Sequence, residues 1–242
     1  MVTPSHEQQK QIIADTEVFV KKALESADAA HDFTHIDRVR AMAVRIALTT
    51  SANAFVVELV ALLHDVYDEK LTRIERTADE IASLIAVFLE TVECPREIAL
   101  EVGCLVSRIG FKKNAFATPE QAAKYQRELT PELAAVQDAD TLDAIGAIGI
   151  ARVFAFGGSR DSPIYSAHEL TGDGFFIGTR GELTEAEYGR KDRGSSVGHF
   201  FDKLLKLKDR LLTKEGKRIG LERHLLMQEF LKHLGAECVG NR

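Results

Sequence analysis

Apolar residues recur at intervals of three and four along nearly the whole chain, and this spacing limits the possible folds more than any other feature. Phe19, Ala23 and Ala27 illustrate it near the N-terminus. Such a period gives each helix one apolar stripe, whereas a half-buried strand alternates apolar and polar residues. We find no convincing strand pattern and no internal repeat. The sequence therefore predicts an all-α fold, with residues 1–242 in a single domain.

Capping signals mark where several predicted helices begin. Ser5 and Thr77 each precede a glutamine or glutamate by three residues, which is the spacing of a capping box. Asn53 is a favourable N-cap for a strongly apolar helix. We expect helices over 5–27, 34–49, 53–65, 77–88, 95–105, a short one from 118, one over 130–156, and two C-terminal helices over 199–235, the last ended by Gly235.

Residues 157–198 form the one long segment without a clear period, and this segment holds nine glycines. An irregular stretch of that length within a compact domain is usually functional or mobile. We expect it to cover the substrate, with Tyr165 or Tyr188 stacking on a base. A shorter loop is expected over 110–117.

Composition excludes several classes of protein. Hydrophobic residues make up 45% and charged residues 28%, which is ordinary for a globular chain and unlike a disordered or fibrous one. The formal net charge is −6, which disfavours a protein that tracks nucleic-acid phosphates. The cysteines lack the spacing of a disulfide framework or a thiolate zinc site; they are Cys94, Cys104 and Cys238.

Segments that would place the chain in or across a membrane are not evident. Residues 1–11 are polar, and the apolar stretch 55–63 is interrupted by Glu58 and too short to span a bilayer. We therefore expect a cytoplasmic protein without membrane or stable nucleic-acid partners, and the sequence leaves its oligomeric state open. The basic residues at 203–210 are expected to form the solvated face of an amphipathic helix.

One pair of polar residues stands at the end of an apolar run. His64 and Asp65 directly follow residues 56–63, and charged groups are rare in such a place unless they are paired or bind a metal. His35 in an earlier helix and Asp140 in a later one offer further donors. Two imidazoles and two carboxylates would form a mixed site for one divalent ion, either Mn²⁺, Fe²⁺, Co²⁺, Ni²⁺, Zn²⁺ or Mg²⁺.

Three motifs in a fixed order resemble those of the HD-domain metal-dependent phosphohydrolases. Residues 31–39 are similar to the opening H-D-x-x-H-x-x-R-V motif, residues 62–70 to the central L-H-D motif, and residues 137–146 to the final D-A-D-x-L-D-A-I-G motif. Segments 199–205 and 222–227 resemble the tail of a subgroup of uncharacterised hydrolases with a single HD domain.

The resemblance implies an HD-type helical bundle and a hydrolase. It implies that one divalent metal ion is held by His35, His64, Asp65 and Asp140. A metal-activated water would then hydrolyse a phosphate ester or anhydride of a small molecule, with a nucleotide as the expected substrate. His31 and Asp32 are expected to be structural, with Asp32 contacting the second nitrogen of His35.

Catalytic groups are expected close to the metal ligands. Asp68 lies one turn beyond His64, where it is either the base that accepts a proton from water or a carboxylate in solvent. Arg38 lies one turn from His35 and is the best phosphate-binding cation. Lys70 is either a further active-site cation or a surface lysine.

Substrate recognition is less constrained by the sequence. The subgroup has a His-Ser-Phe segment where this chain has Val106-Ser107-Arg108, and no histidine lies between His64 and Asp140. This absence favours one metal and disfavours oxygenase chemistry, and it suggests Arg108 or Lys112 as an anion-binding group.

Two further polar residues, Asp143 and Arg152, are candidates for substrate binding. Asp143 is expected to support the site or contact a sugar hydroxyl, while Arg152 binds either phosphate or Asp143. His199 and His224 are expected to be structural. The alternative function is a non-catalytic module that binds metal and nucleotide, and a helical nucleic-acid-binding protein is a weaker hypothesis.

Overall fold

The computed structural model describes residues 4–25, 33–110, 118–172, 174–175 and 194–241. The chain divides into two compact units, Met1–Asp140 and Thr141–Arg242. The fold is all-α, as predicted, while the assignment of the chain to a single domain remains a prediction. The first unit contains α1 (His6–Ala23), α2 (Phe33–Ala47), α3 (Ala54–Leu63), α4 (Glu69–Thr72), α5 (Ala78–Thr91), α6 (Arg96–Val106), α7 (Pro119–Arg127) and most of α8 (Pro131–Asp143).

Predicted caps begin three of these helices. Ser5 Oγ accepts a hydrogen bond from the backbone N–H of Gln8, whose side chain accepts one from the N–H of Ser5. Thr77 and Glu80 form the same reciprocal pair at the start of α5. The Asn53 side chain accepts from the first backbone N–H groups of α3. These bonds satisfy donors that have no partner within a helix, and they confirm the predicted starts.

Helix α3 forms the centre of the first unit. Eight of its ten residues are buried, and it packs against α1, α2 and α6. A helix that is apolar on all sides is stable only when it is enclosed. Full burial of each Leu or Val side chain contributes about 1.5–3 kcal/mol. This packing fixes the C-terminal end of α3, where His64 follows.

Arg40 ties three helices of this unit together. Its guanidinium on α2 donates to Glu17 of α1 at 2.9 Å and to Glu58 of α3 at 2.5 Å. Hydrogen bonds from Lys21 and Arg40 hold the pKa of Glu17 below its ordinary value, against the opposing effect of burial. The network therefore fixes α2, the helix that carries His35.

The second unit is built from helices around one long C-terminal helix. It contains the end of α8, α9 (Gly146–Gly158), a 3-10 helix (Ala167–Glu169), β1 (Leu170–Thr171), β2 (Gly174–Phe175), α10 (Ser196–Asp202), a 3-10 helix (Leu204–Arg210) and α11 (Lys214–Cys238). The strands form one short antiparallel pair in which Leu170 pairs with Phe175 and Thr171 with Gly174. Helix α11 packs against α9, β2 and the second 3-10 helix.

The prediction of one helix over 130–156 was wrong. Helix α8 ends at Asp143, and Gly146, the first residue of α9, adopts a positive φ of 75°. A Cβ atom at Gly146 would lie only 2.8 Å from Cγ of Arg223, so this side chain of α11 occupies the space that a Cβ atom would need. Positive φ and this close approach both favour glycine.

Two predictions for the C-terminal region were also wrong in part. Gly235 does not end the last helix, which continues to Cys238; Gly235 is buried, and a Cβ atom added at Gly174 of β2 would lie 3.4 Å from its carbonyl carbon. The segment expected to be irregular over 157–198 contains a 3-10 helix and the strand pair, and α10 already begins at Ser196. The helix predicted from 199 is divided into α10 and a 3-10 helix. Tyr188 lies outside the described residues.

No single helix within the described ranges is long and apolar enough to cross a membrane; α8 and α9 reach that length and composition only as a bent pair.

Candidate metal centre

Two imidazoles and two carboxylates converge in the first unit. The nearest ligand atoms of His35, His64 and Asp140 all lie within 4.8 Å of one another. Oδ2 of Asp65 lies 3.5 Å from Nε2 of His35 and 3.4 Å from Nε2 of His64. Oδ1 of Asp140 lies 3.8 and 4.0 Å from the same two nitrogens. The structure thus brings together all four ligands implied by the sequence.

These four side chains come from three helices and are buried to different extents. His35 lies on α2, His64 and Asp65 follow α3, and Asp140 lies on α8. The two imidazoles are enclosed, with side-chain exposures of 2% and 0%, whereas Asp65 and Asp140 are 21% and 28% exposed. The nitrogen donors therefore lie on the buried side of the cluster, and the oxygen donors lie on the side that solvent reaches.

The orientation of the His64 ring is set by the backbone. Its Nδ1 lies 2.8 Å from the carbonyl oxygen of Ala61. Because a carbonyl only accepts, Nδ1 carries the proton and donates, and Nε2 of the neutral ring keeps its lone pair. That Nε2 atom is buried without a hydrogen-bond partner among the described residues. An unpaired buried acceptor costs about 1–3 kcal/mol, and a bound cation would offset this cost.

The spacing and chemistry of the four groups fit a divalent cation. Donor atoms that each lie about 2.1 Å from one ion are about 3–4 Å apart. The measured separations to the imidazole nitrogens are 3.4 to 4.0 Å. Two nitrogen and two oxygen donors suit Mn²⁺, Fe²⁺, Co²⁺, Ni²⁺ or Zn²⁺ better than Mg²⁺, which prefers oxygen ligands.

Asp68 lies on the same side of the chain as Asp65. The backbone N–H of Asp68 donates to the carbonyl of Asp65 at 3.0 Å, which closes a turn with 3-10 spacing. Side chains three residues apart eclipse each other in such a turn. The half-buried Asp68 therefore follows the cluster residue Asp65 by one turn, and its role as a base remains a prediction.

Of the predicted active-site cations, one is described in full. Arg38 lies one turn after His35 on α2. Its Nη1 atom donates a hydrogen bond to the hydroxyl of Thr34 at 3.1 Å. Lys70 lies in α4, and its side chain is outside the described part of the chain. Their roles in binding phosphate remain predictions.

The other candidate residues do not join the cluster in the described structure. Asp143 is buried and accepts from Arg152 at 2.6 Å, which favours the alternative of an ion pair between these two residues. Nη2 of Arg108 lies 3.2 Å from Oε2 of Glu128, and both side chains are partly exposed. Lys112, His31 and Asp32 lie outside the described residues. Substrate contacts by Asp143, Arg152, Arg108 and Lys112 remain predictions.

Sequence reasoning did not identify two supporting groups. The Ala61 carbonyl orients His64, and Arg223 donates to the carbonyl oxygen of Leu142 at the end of α8. The last carbonyls of a helix have no intrahelical donor, and this rule is the signal that points to Ala61. No comparable signal exists for Arg223, since its partner is 81 residues away in the sequence.

His224 is the most buried of the described histidines in the second unit. It lies on α11, and burial together with the charge of Lys208 lowers its pKa, while Asp209 opposes that shift. No cluster of ligand atoms within the described ranges includes it. Nδ1 of His224 is buried without a hydrogen-bond partner among the described residues, and its structural role remains a prediction.

An all-α chain with two imidazoles and two carboxylates on three helices has the site expected of an HD-superfamily hydrolase, and comparisons with known proteins agree. No family model matches the chain. It is 31% identical over 223 residues to the uncharacterised protein YpgQ of Bacillus subtilis, which covers 92% of this chain and 91% of YpgQ. The chain belongs to the HD-superfamily hydrolases, in the group that includes YpgQ.

Solved structures support the same assignment. An HD-superfamily hydrolase from Bacillus thuringiensis matches with a TM-score of 0.69 and 31% identity, over 96% of this chain and 99% of that one. Bacillus subtilis YpgQ in complex with ADP matches with a TM-score of 0.68 and 28% identity, over 96% of this chain and 97% of that one.

Proposed function

We propose that the protein is a metal-dependent phosphohydrolase that cleaves a phosphate ester or anhydride of a small molecule, with nucleotides as the substrate class. The observation that carries this proposal is the convergence of His35, His64, Asp65 and Asp140 around Nε2 of His64, a buried atom with no hydrogen-bond partner in the described part of the chain. Buried polar atoms in structural clusters are almost always hydrogen-bonded, whereas Nε2 of His64 lies among a second imidazole and two carboxylates without such a bond in the described structure.

The choice of nucleotides has separate support. YpgQ, a relative that covers nearly the whole chain, was crystallised with ADP. A nucleoside diphosphate carries both a phosphate for the metal and a base and sugar for the surrounding protein. For this chain the ligand is therefore a proposal based on that relative.

Each polar group in the site has a proposed task. When bound, the cation supplies a Lewis acid that activates water and neutralises phosphate charge. The Ala61 carbonyl keeps the lone pair of His64 directed into the cluster, and Asp68 accepts the proton that the attacking water loses. Arg38 donates to phosphate oxygens from α2. Lys70, Arg108 and Lys112 are further proposed contacts to the substrate's anionic groups.

The direct test is hydrolysis of a substrate panel with Mn²⁺. Wild type would be compared with His64→Ala and Asp65→Ala on nucleoside mono-, di- and triphosphates, cyclic dinucleotides and p-nitrophenyl phosphate. His233→Ala is a matched control, because this histidine lies on α11 and pairs with Glu229. We expect turnover in wild type and control only. Full turnover by the folded His64 and Asp65 variants would overturn the proposal.

A non-catalytic nucleotide sensor is the second candidate. It is favoured by Ser107, whose hydroxyl donates to the carbonyl of Cys104 in its own helix at a position where the subgroup has a histidine next to serine. Tight binding of a nucleotide without product formation across the panel would support the sensor and exclude the hydrolase.

A further inference from the structure

The last turn of α8 ends in a pair of arginine contacts. Asp140 begins this turn, and Leu142 and Asp143 complete it. Arg223 donates through Nη1 to the carbonyl oxygen of Leu142 at 2.5 Å. Nη1 of Arg152 donates to the carbonyl oxygen of Asp143 at 3.2 Å and to its carboxylate at 2.6 Å. Cations and donors at this end of a helix satisfy its unpaired carbonyls and its partial negative charge.

The route of Arg223 to this carbonyl is built into the fold. Its aliphatic stem passes over Gly146, where an added Cβ would lie 2.8 Å from Cγ and 2.9 Å from Cβ of the arginine. Gly146 also has a positive φ of 75°, which favours glycine independently. The break between α8 and α9 therefore leaves the space through which a residue of α11 reaches the end of α8.

We propose that Arg223 is a positioning residue for the metal centre, acting through the last turn of α8 on Asp140. This inference rests on the proposed function, because it requires Asp140 to be a metal ligand. The guanidinium holds the Leu142 carbonyl two residues beyond Asp140. Helix ends fray when their carbonyls lose partners, and a ligand must be held to within about 0.5 Å to bind well. Loss of the guanidinium therefore spreads the carboxylate of Asp140 over more positions.

The experiment measures Mn²⁺ affinity and amide exchange in the full-length chain. Arg223→Met keeps the stem that packs on Gly146 but removes the guanidinium, while Arg223→Lys restores a cation. Arg218→Ala is the matched control, because this arginine lies on the same helix and donates to Glu215 and Glu222 at the surface. Mn²⁺ binding is followed by titration calorimetry, and deuterium exchange is read on peptides that cover residues 138–146.

We expect Mn²⁺ to bind about tenfold more weakly to Arg223→Met, which is the lower end for groups that hold a metal ligand in place. Exchange in the last turn of α8 should rise in the same variant. Arg223→Lys should recover part of both effects, and Arg218→Ala should match wild type. A merely structural role would lower the thermal midpoint of Arg223→Met without changing the affinity for Mn²⁺.

The two proposals fail in different ways. Wild-type Mn²⁺ affinity and wild-type amide exchange in Arg223→Met would overturn the positioning role alone. If Arg223→Met does not fold, Arg223→Lys takes its place, and faster exchange over residues 138–146 together with wild-type Mn²⁺ affinity in that variant would overturn the role. Wild-type protein that binds no Mn²⁺ overturns the proposed metal centre and the positioning role with it.

Discussion

Two clusters of polar side chains lie along α8, and they differ in how their hydrogen-bonding capacity is used. At Asp140, carboxylates and imidazoles face each other at 3.4 to 4.0 Å, and Nε2 of His64 has no hydrogen-bond partner in the described structure. In the next turn of the helix, Asp143 accepts a hydrogen bond from Arg152, and the Leu142 carbonyl accepts one from Arg223. The first cluster is shaped for a ligand, and the second is complete without one.

The difference teaches how to separate function from structure in a buried polar group. Burial alone does not distinguish the clusters, because His64 and Asp143 are both nearly inaccessible. The pairing of donors with acceptors does, since unpaired buried groups persist only where another interaction supplies a benefit. The apolar packing of α3 provides stability that offsets the cost of the unpaired His64 Nε2 atom at its end.

The largest expected effect is on catalysis at the cluster of His35, His64, Asp65 and Asp140. Asp140→Asn keeps the volume but weakens a metal ligand, so turnover with Mn²⁺ should fall on the order of 10³-fold. The free energy of unfolding of the metal-free protein should change by less than about 0.5 kcal/mol, because no close hydrogen bond is lost. Steady-state kinetics and urea denaturation check the two parts, with Asp15→Asn as control. A large loss of metal-free stability would break the comparison.

The satisfied cluster should show the opposite pattern. Arg152→Met leaves the buried carboxylate of Asp143 without its 2.6 Å donor and should cost about 2–3 kcal/mol of unfolding free energy. Adding Asp143→Leu to this variant should recover much of the loss, since no uncompensated charge then remains. Urea unfolding of the double-mutant cycle measures the coupling. If the losses of unfolding free energy were additive, the ion pair between the two residues would not contribute to stability.

Arg38 sharpens the assignment of the first cluster. Removal of a charge-assisted hydrogen bond to phosphate costs about 1.5–3 kcal/mol, so Arg38→Met should lower kcat/KM by roughly 10–100-fold. Arg38→Lys should recover part of the loss. Arg45→Met on the same helix is the matched control. An unchanged kcat/KM in Arg38→Met would remove this residue from the site.

The smallest expected effect is a pH dependence of stability from His224. Its pKa in the folded protein lies below the ordinary 6.5 because of burial and the charge of Lys208, so the unfolded chain binds the proton first as pH falls. The stability that the neutral ring provides is present above pH 6.5 and is lost progressively below it. Urea unfolding at several pH values should show that the unfolding free energy of His224→Gln falls less steeply below pH 6.5 than that of wild type. An equal slope in the two proteins would contradict the assignment.

Local signals predicted much of the first unit. The capping boxes at Ser5 and Thr77 and the Asn53 cap depend on neighbours within three residues, and all three form as expected. The apolar run before His64 predicted a buried helix, and that helix positions the imidazole of His64. The family resemblance supplied the set of four polar residues, since the chain alone gives no measure of how α2, α3 and α8 meet.

Long-range contacts decided what the sequence did not reveal. At the break after Asp143, Gly146 has a positive φ, and Arg223 from a distant part of the sequence packs where a Cβ atom at Gly146 would lie. Helix α11 continues past Gly235, which is buried next to Gly174 of β2, a contact between residues far apart in the sequence. The tautomer of His64 depends on the direction of the Ala61 carbonyl, which the sequence does not reveal.

The most direct test of the account is the metal content of freshly purified protein, measured by mass spectrometry beside His64→Ala and repeated after incubation with Mn²⁺ and desalting. The account predicts about one equivalent of a divalent transition metal in wild type and its loss in the variant, because Nε2 of His64 has no other partner in the described structure. Equal metal content in the two proteins, or no metal in wild type even after incubation, would contradict it.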